Sequence, residues 1–362
     1  MRADGAKRSS HSRDGTQAGL QRRDAQRSAG KAGRNPLKHK VVCVQPIHPE
    51  GMKILRSRED LEIIVPESPE PQYWEQHLAD VEAIVVRITR IERWMIEKAP
   101  RLKLISRHGV GVDNIDIDAA TERAVVVATV GLANAPSVVE HTLALMFALA
   151  KRLREFDRAV RAGDYMVKMD LEAIDLRGRT VLIVGLGRIG SRVAAACNAL
   201  GMHCIGIDPA FTADQIRALG CEPATCLHEA LPRADIVTLH CPLQADTRNL
   251  IGARELALMK PNAFLINCAR GGIVDEAALL AALESGRLKG AGLDVQTTEP
   301  PPPDDPLLKS DRVILTPHSA ATTAEGVVRV ATTVAQNVLD YFDGRLPAAH
   351  IFNPEALNRA SH

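Results

Sequence analysis

Residues 181–208 read VLIVGLGRIGSRVAAACNALGMHCIGID, and the fold is decided there. Positions 181–184 form a continuous apolar run of strand length, the pattern of a parallel strand buried on both faces. Gly185-Leu186-Gly187-Arg188-Ile189-Gly190 follows without a break. In such a turn the first glycine permits the sharp change of direction, the second lets a pyrophosphate approach the backbone, and the third lets the next helix press on the sheet. The helix opening there presents free N–H groups to phosphate oxygens, so Gly185, Gly187, Arg188, Ile189 and Gly190 are expected to hold a dinucleotide. The next strand, 203–207, ends at Asp208, whose carboxylate can accept from both hydroxyls of an adenosine ribose and repels a 2′-phosphate. NAD is therefore expected rather than NADP.

Outward from this unit, apolar strands alternate with amphipathic helices: 41–45, 62–65, 83–87, 103–107 and 125–130 before it, 235–239, 263–266, 290–293 and 312–315 after it. Such alternation means parallel α/β architecture. The strands from 181 onward supply the six of a doubly wound (Rossmann) sheet. A helical run from 137 to about 163 precedes the glycine turn and is apolar around enough of its circumference to need cover from two sides. The last helix, 322 to about 341, is expected to pack back on the first domain. The expected architecture is a dinucleotide-binding domain, 137–319, inserted in a discontinuous flavodoxin-like α/β substrate domain, 41–136 and 320–352.

Residues 1–40 carry eleven Lys and Arg against three Asp and almost no large apolar side chain, the composition of a disordered basic tail. Removing its +8 from the formal net charge of +1 leaves −7 for the remainder, which argues against nucleic acid as a partner. The seven cysteines are odd in number, form no CxxC pair and lie mostly in apolar segments, as reduced core residues of a cytoplasmic protein would. The longest apolar stretch, 142–150, falls short of the roughly 20 residues of a membrane span. No metal-ligand spacing stands out.

Three polar clusters each follow directly on an apolar strand: Asn267-Cys268-Ala269-Arg270-Gly271-Gly272, Asp294 with Glu299, and Thr316-Pro317-His318. Ligands of open α/β sheets lie beyond the carboxyl ends of the strands, so Arg270, Glu299 and His318 are expected to converge beside the nicotinamide. With these motifs the chain resembles the D-isomer-specific 2-hydroxyacid dehydrogenase family, phosphoglycerate dehydrogenases and hydroxypyruvate reductases within it. The resemblance runs over about 41–352 and is carried by GVGVDNID at 109–116, SVVEHTLAL at 137–145, GLGRIG at 185–190, LHCPL at 239–243, MKPNAFLINCARGGIVDEAAL at 259–279, AGLDV with EP at 291–300 and TPHSA at 316–320.

The resemblance implies that Arg270 holds and polarises a 2-oxo acid, that His318 donates and accepts the proton, and that Glu299 orients and charges the histidine. Elementary chemistry agrees. Hydride transfer to a ketone leaves an incipient alkoxide, which needs a proton and a nearby positive charge. An imidazole beside a carboxylate supplies the first and a guanidinium, always charged and forked, the second. The resemblance also assigns Asp294 to the nicotinamide carboxamide, and the backbone N–H groups around Val110 and Gly111 to the substrate carboxylate. His240, Cys241 and Pro242 would run beside the cofactor with Cys268 and Ala269, Cys241 packing rather than attacking. Arg87 matches an arginine that phosphoglycerate dehydrogenases aim at the far end of the substrate.

The chain departs from that pattern at Ile88, where a small polar residue is usual, in the shorter and less polar VGLANAPS at 130–137, and at Gln296-Thr297-Thr298, where an aromatic is more common. A homodimer through the 137–163 helix is expected. Two rival readings share the fold: an NADH-sensing corepressor-like binding protein, and a formate dehydrogenase-like enzyme, which carries glutamine where this chain has Glu299.

Overall fold

The computed structural model describes residues 38–170 and 172–359, so the basic tail lies outside the described residues except at its end. There the first strand already starts at His39, two residues before the expected boundary. Five parallel strands, β1 (His39–Cys43), β2 (Leu61–Ile64), β3 (Ala83–Val86), β4 (Leu104–Arg107) and β5 (Val126–Ala128), form a sheet of order β2-β1-β3-β4-β5, the flavodoxin-like order. Seven more, β6 (Thr180–Val184), β7 (His203–Ile207), β8 (Glu222–Pro223), β9 (Ile236–Leu239), β10 (Phe264–Asn267), β11 (Gly290–Leu293) and β12 (Val313–Leu315), form a second parallel sheet, β12-β11-β10-β9-β6-β7-β8. This is the doubly wound order with one strand beyond the expected six. The extra member is β8, whose two residues are too short to leave a periodic signal.

Alternation along each strand explains why the strands read as unbroken apolar runs. Val181 and Ile183 enter one core layer while Leu182 and Val184 enter the layer on the opposite face. Val41 and Cys43 separate from Val42 and Val44 in the same way across the first sheet. Helix Ala135–Ala150 covers the second sheet through Leu145, Met146 and Leu149, and helix Ala324–Phe342 covers the first through Val330, Val334 and Val338. The chain thus passes from the first sheet to the second and back, which makes the first unit discontinuous.

The long helix expected over 137–163 is two helices. Ala135–Ala150 starts two residues earlier, with Pro136 in the first turn where its missing N–H costs nothing. It stops before Arg152, whose φ of 53° is left-handed and interrupts the helical backbone, and a second helix, Leu153–Arg161, begins after it. Nothing in the sequence announces this break, because neither glycine nor proline stands there. The strand expected over 125–130 is limited to Val126–Ala128.

Candidate active site

The three glycines of the β6 turn meet three different surroundings. Gly185 has φ +91°, and a Cβ on it would fall 2.7 Å from the Cys241 nitrogen. A Cβ on Gly190 would overlap the Gly185 carbonyl, so helix Gly190–Ala199 can lie on β6 only without a side chain there. A Cβ on Gly187 would meet nothing within 4 Å, which leaves open space beside the backbone at the start of a helix. Asp208 accepts from the Leu186 N–H at 2.7 Å and the Ala210 N–H at 2.9 Å, fixing the turn with both oxygens and keeping lone pairs for ribose hydroxyls. Turn, open face, helix start and acid fit a dinucleotide.

A cleft of about 510 Å³ opens beyond the carboxyl ends of the strands. From the second sheet it receives Arg188, Ile189, His240, Cys241, Pro242, Cys268, Ala269, Arg270, Asp294 and His318; Val110, Gly111, Asp113 and Phe352 belong to the first unit. Most of the residues singled out from sequence therefore border one space. Gly185, Gly187, Gly190, Asp208 and Glu299 do not line it: the glycines flank Arg188 and Ile189 in the turn, Asp208 follows β7, and Glu299 reaches the site only through His318. Arg87 does not line it either: its Nη1 donates to the Pro46 carbonyl at 3.2 Å, and the side chain is exposed.

His318 follows β12 with φ 52°, a left-handed conformation costing a non-glycine residue roughly 1–3 kcal/mol. Its N–H donates to the Asp294 carbonyl at 2.7 Å, which holds the turn. His318 Nδ1 meets Glu299 Oε2 at 2.8 Å, and Glu299 Oε1 accepts from the Gln296 N–H at 3.0 Å. Burial pushes the Glu299 carboxyl up, but the bonds from His318 and Gln296 and the charges of His318 and Arg270 outweigh it and leave it below the usual carboxylate range. Glu299 is thus an ionised anchor on one ring nitrogen, with the other left for a ligand.

Asp294 is buried, and its carboxylate accepts from Thr316 Oγ1 at 2.6 Å and from the N–H groups of Ser319 at 2.8 Å and Ala320 at 2.9 Å. Its first duty is to cap the His318 turn; of about four acceptor positions on a carboxylate, one remains for a ligand amide. His240 is half-buried with Nε2 2.9 Å from Thr238 Oγ1, and loss of solvent around the ring pulls its pKa down to about 4, so the ring is neutral. Burial raises the thiols of Cys241 to about 11 and Cys268 to about 12, the state of packing groups rather than nucleophiles.

The glycines of the Gly109–Gly111 loop lie against side chains. A Cβ on Gly109 would fall on Arg107 Nη1, and one on Gly111 on Arg270 Nη2. The two missing side chains make room for two guanidinium groups. Arg270 Nε donates to Asp113 Oδ2 at 2.8 Å and its Nη1 to the Ala269 carbonyl at 2.7 Å. Arg107 is pulled down to about 10 by burial and by the positive charges of Arg270 and Arg87, with Asp113 opposing. Sequence reasoning missed Arg107, Asp113 and Phe352. A signal existed for the first, because Arg107 ends β4 as Arg87 follows β3, and for the second, because Asp113 stands inside GVGVDNID.

Among the described residues no group of three or more His, Cys, Asp or Glu side chains could hold a metal ion, and no helix is long and apolar enough to cross a membrane.

Known proteins resemble this chain in sequence and in fold. The family model described as "D-isomer specific 2-hydroxyacid dehydrogenase, NAD binding domain" matches residues 143–320. A D-3-phosphoglycerate dehydrogenase of Methanocaldococcus jannaschii is 40% identical over 85% of this chain and 58% of its own length. A glyoxylate reductase of Korarchaeum cryptofilum is 37% identical over 86% of this chain and 95% of its own. Among solved structures, a D-lactate dehydrogenase of Aquifex aeolicus complexed with NAD and lactic acid superposes with a TM-score of 0.78 at 30% identity, covering 87% of this chain and 99% of that one. The chain spans between half and three fifths of the phosphoglycerate dehydrogenases it matches.

Proposed function

The chain belongs to the D-isomer specific 2-hydroxyacid dehydrogenase family, and on that premise we propose that it is an NAD-dependent oxidoreductase acting on a small D-2-hydroxy or 2-oxo acid. 3-Phosphoglycerate, hydroxypyruvate and glyoxylate are the leading candidates. One observation carries the reading: a histidine anchored by a carboxylate at 2.8 Å borders the same cleft as an arginine that keeps N–H groups unspent.

The residues along the glycine turn, with Asp208 and Asp294, would hold NAD, which when bound supplies or takes up the hydride. The chain's own residues do the rest. Arg270 binds the substrate carboxylate and draws charge from the carbonyl, aided by the N–H groups of the Val110–Gly111 backbone. His318 gives its Nε2 proton to the oxygen as the alcohol forms and takes it back in the reverse direction. Glu299 holds Nδ1, which fixes the ring and stabilises the imidazolium. Asp208, next to the ribose position, disfavours a 2′-phosphate and so favours NAD over NADP.

We place the domain boundaries at 41–136 with 320–352, and at 137–319. We also propose a homodimer, because Leu153, Val160, Tyr165, Met166 and Met169 are each more than half exposed just after the Ala135–Ala150 helix. The free cysteines suit a cytoplasmic setting.

Following NADH absorbance across 2-oxo acids, with matched compounds bearing and lacking phosphate, tests the reading. Steady oxidation with at least one is expected. Tight NADH binding without oxidation of any would turn the reading to a nucleotide-sensing protein.

A further inference from the structure

The cleft is crossed by an ion pair between chain segments 157 residues apart, Arg270 Nε to Asp113 Oδ2 at 2.8 Å. Arg270 extends from the loop after β10, and Asp113 stands beyond the Gly109–Gly111 loop of the first sheet. We propose that Asp113 is a positioning residue for the reaction, holding the Arg270 guanidinium against Gly111 so that its remaining N–H groups face the substrate. The proposal rests on the functional reading above.

Three features carry it. First, the acid engages Nε, and only one further N–H, on Nη1, is spent on the Ala269 carbonyl. Of the five N–H groups of a guanidinium three remain, one on Nη1 and both on Nη2, to donate to a carboxylate and a carbonyl. An acid bonded to those three would compete with the substrate; one bonded to Nε anchors the group instead. Second, Gly111 has no side chain where Nη2 lies, so the loop admits the guanidinium in this position, which a Cβ there would block. Third, the pair joins a residue of one unit to a residue of the other. The arrangement of the two units and the aim of the arginine are thereby set together.

The Asp113 side chain is half exposed, and ion pairs of that kind contribute little to stability. Asp113 also faces the charge of the half-buried Arg107, and offsets the repulsion between the two arginines that flank the loop. Its effect should accordingly appear in substrate binding and turnover rather than in folding.

The experiment compares the full chain with D113A, D113N, R270A and the double variant D113A/R270A. Four quantities are measured: thermal midpoint, NADH affinity by fluorescence, affinity of the NADH-saturated protein for oxalate as an unreactive mimic of a 2-oxo acid, and kcat and KM for the best oxo acid. D113A is expected to weaken oxalate binding and raise KM by about tenfold and to lower kcat, with thermal midpoint and NADH affinity unchanged. D113N should recover part of the loss, because its amide oxygen still accepts from Nε. In the R270A background D113A should have no further effect.

Unchanged or tighter oxalate binding by D113A would overturn the proposal, as would an equal effect with and without Arg270. A parallel fall in thermal midpoint and NADH affinity would also overturn it, in favour of a structural role. If the unaltered chain neither binds oxalate nor turns over any oxo acid, the functional reading itself fails. A silent D113A in an active enzyme defeats the positioning role alone.

Discussion

Two glycine-bearing loops border the same cleft, and their glycines make room for different things. In the turn after β6, Gly187 looks into open space and Gly190 onto the Gly185 carbonyl, so one admits a ligand and the other admits the backbone. In the loop after β4, Gly109 and Gly111 admit Arg107 and Arg270. A missing Cβ therefore has no single meaning. What fills the space decides whether a substitution strikes the cofactor, the fold or the reacting arginine.

The largest separation between the loops is expected from Gly111→Ala, whose methyl would push the Arg270 guanidinium aside. Turnover should fall by roughly a hundredfold, the usual penalty for misplacing a reacting group by about 1 Å, while NADH still binds. Steady-state kinetics beside a fluorescence titration checks this. Gly190→Ala should instead act on the fold, lowering unfolding free energy by roughly 1–3 kcal/mol or more, as overpacking does, measured by denaturant titration. If Gly190→Ala left stability intact, the contrast with Gly187 would fail.

Gly187→Ala comes next. Its methyl meets nothing in the protein, so the thermal midpoint should hold while NADH affinity drops by about tenfold, one pyrophosphate contact having been blocked. Loss of stability with unchanged affinity would show that the open space belongs to the fold.

The smallest effect distinguishes, by pH and salt, the histidine packed against the β6 turn, His240, from the one in the loop after β4, His108. His240 and His108 both titrate near 4, against 6.5 for a free histidine. Both rings are neutral in the folded chain down to about pH 4, whereas the unfolded chain takes up protons below about 6.5. Their contribution to stability is therefore complete above pH 6.5 and is lost as the pH falls from there towards 4. For His240 burial is the cause; for His108 burial is joined by the charges of Arg87 and Arg107. Added salt should thus raise the NMR titration midpoint of His108 and leave that of His240 in place. Equal responses would remove the electrostatic distinction between the surroundings of the two loops.

The contrast also marks what could be read from sequence. The cofactor turn was legible because its strand, its glycines, its helix and Asp208 lie within about 25 residues of one another and each role follows from local backbone geometry. Arg270, Glu299 and His318 were legible because strand ends in a parallel sheet face one side. Asp113 was not, since its partner is 157 residues away and only the packing of two units brings them together. Arg87 illustrates the converse: the resemblance selected it, but it turns to the Pro46 carbonyl, while Arg107, which ends the neighbouring strand, fills the loop. The break at Arg152 and the two-residue β8 escaped because a left-handed arginine and a two-residue strand leave no periodic trace.

The most direct test of the account follows deuterium from NADH labelled at C4 into product, with the best 2-oxo acid as partner, in the unaltered chain and in His318→Ala. The label should appear at C2 of a D-2-hydroxy acid at a rate that His318→Ala lowers by about a hundredfold or more, with NADH affinity unchanged. Label that never reaches C2 although NADH binds, or a transfer rate indifferent to His318, would contradict it.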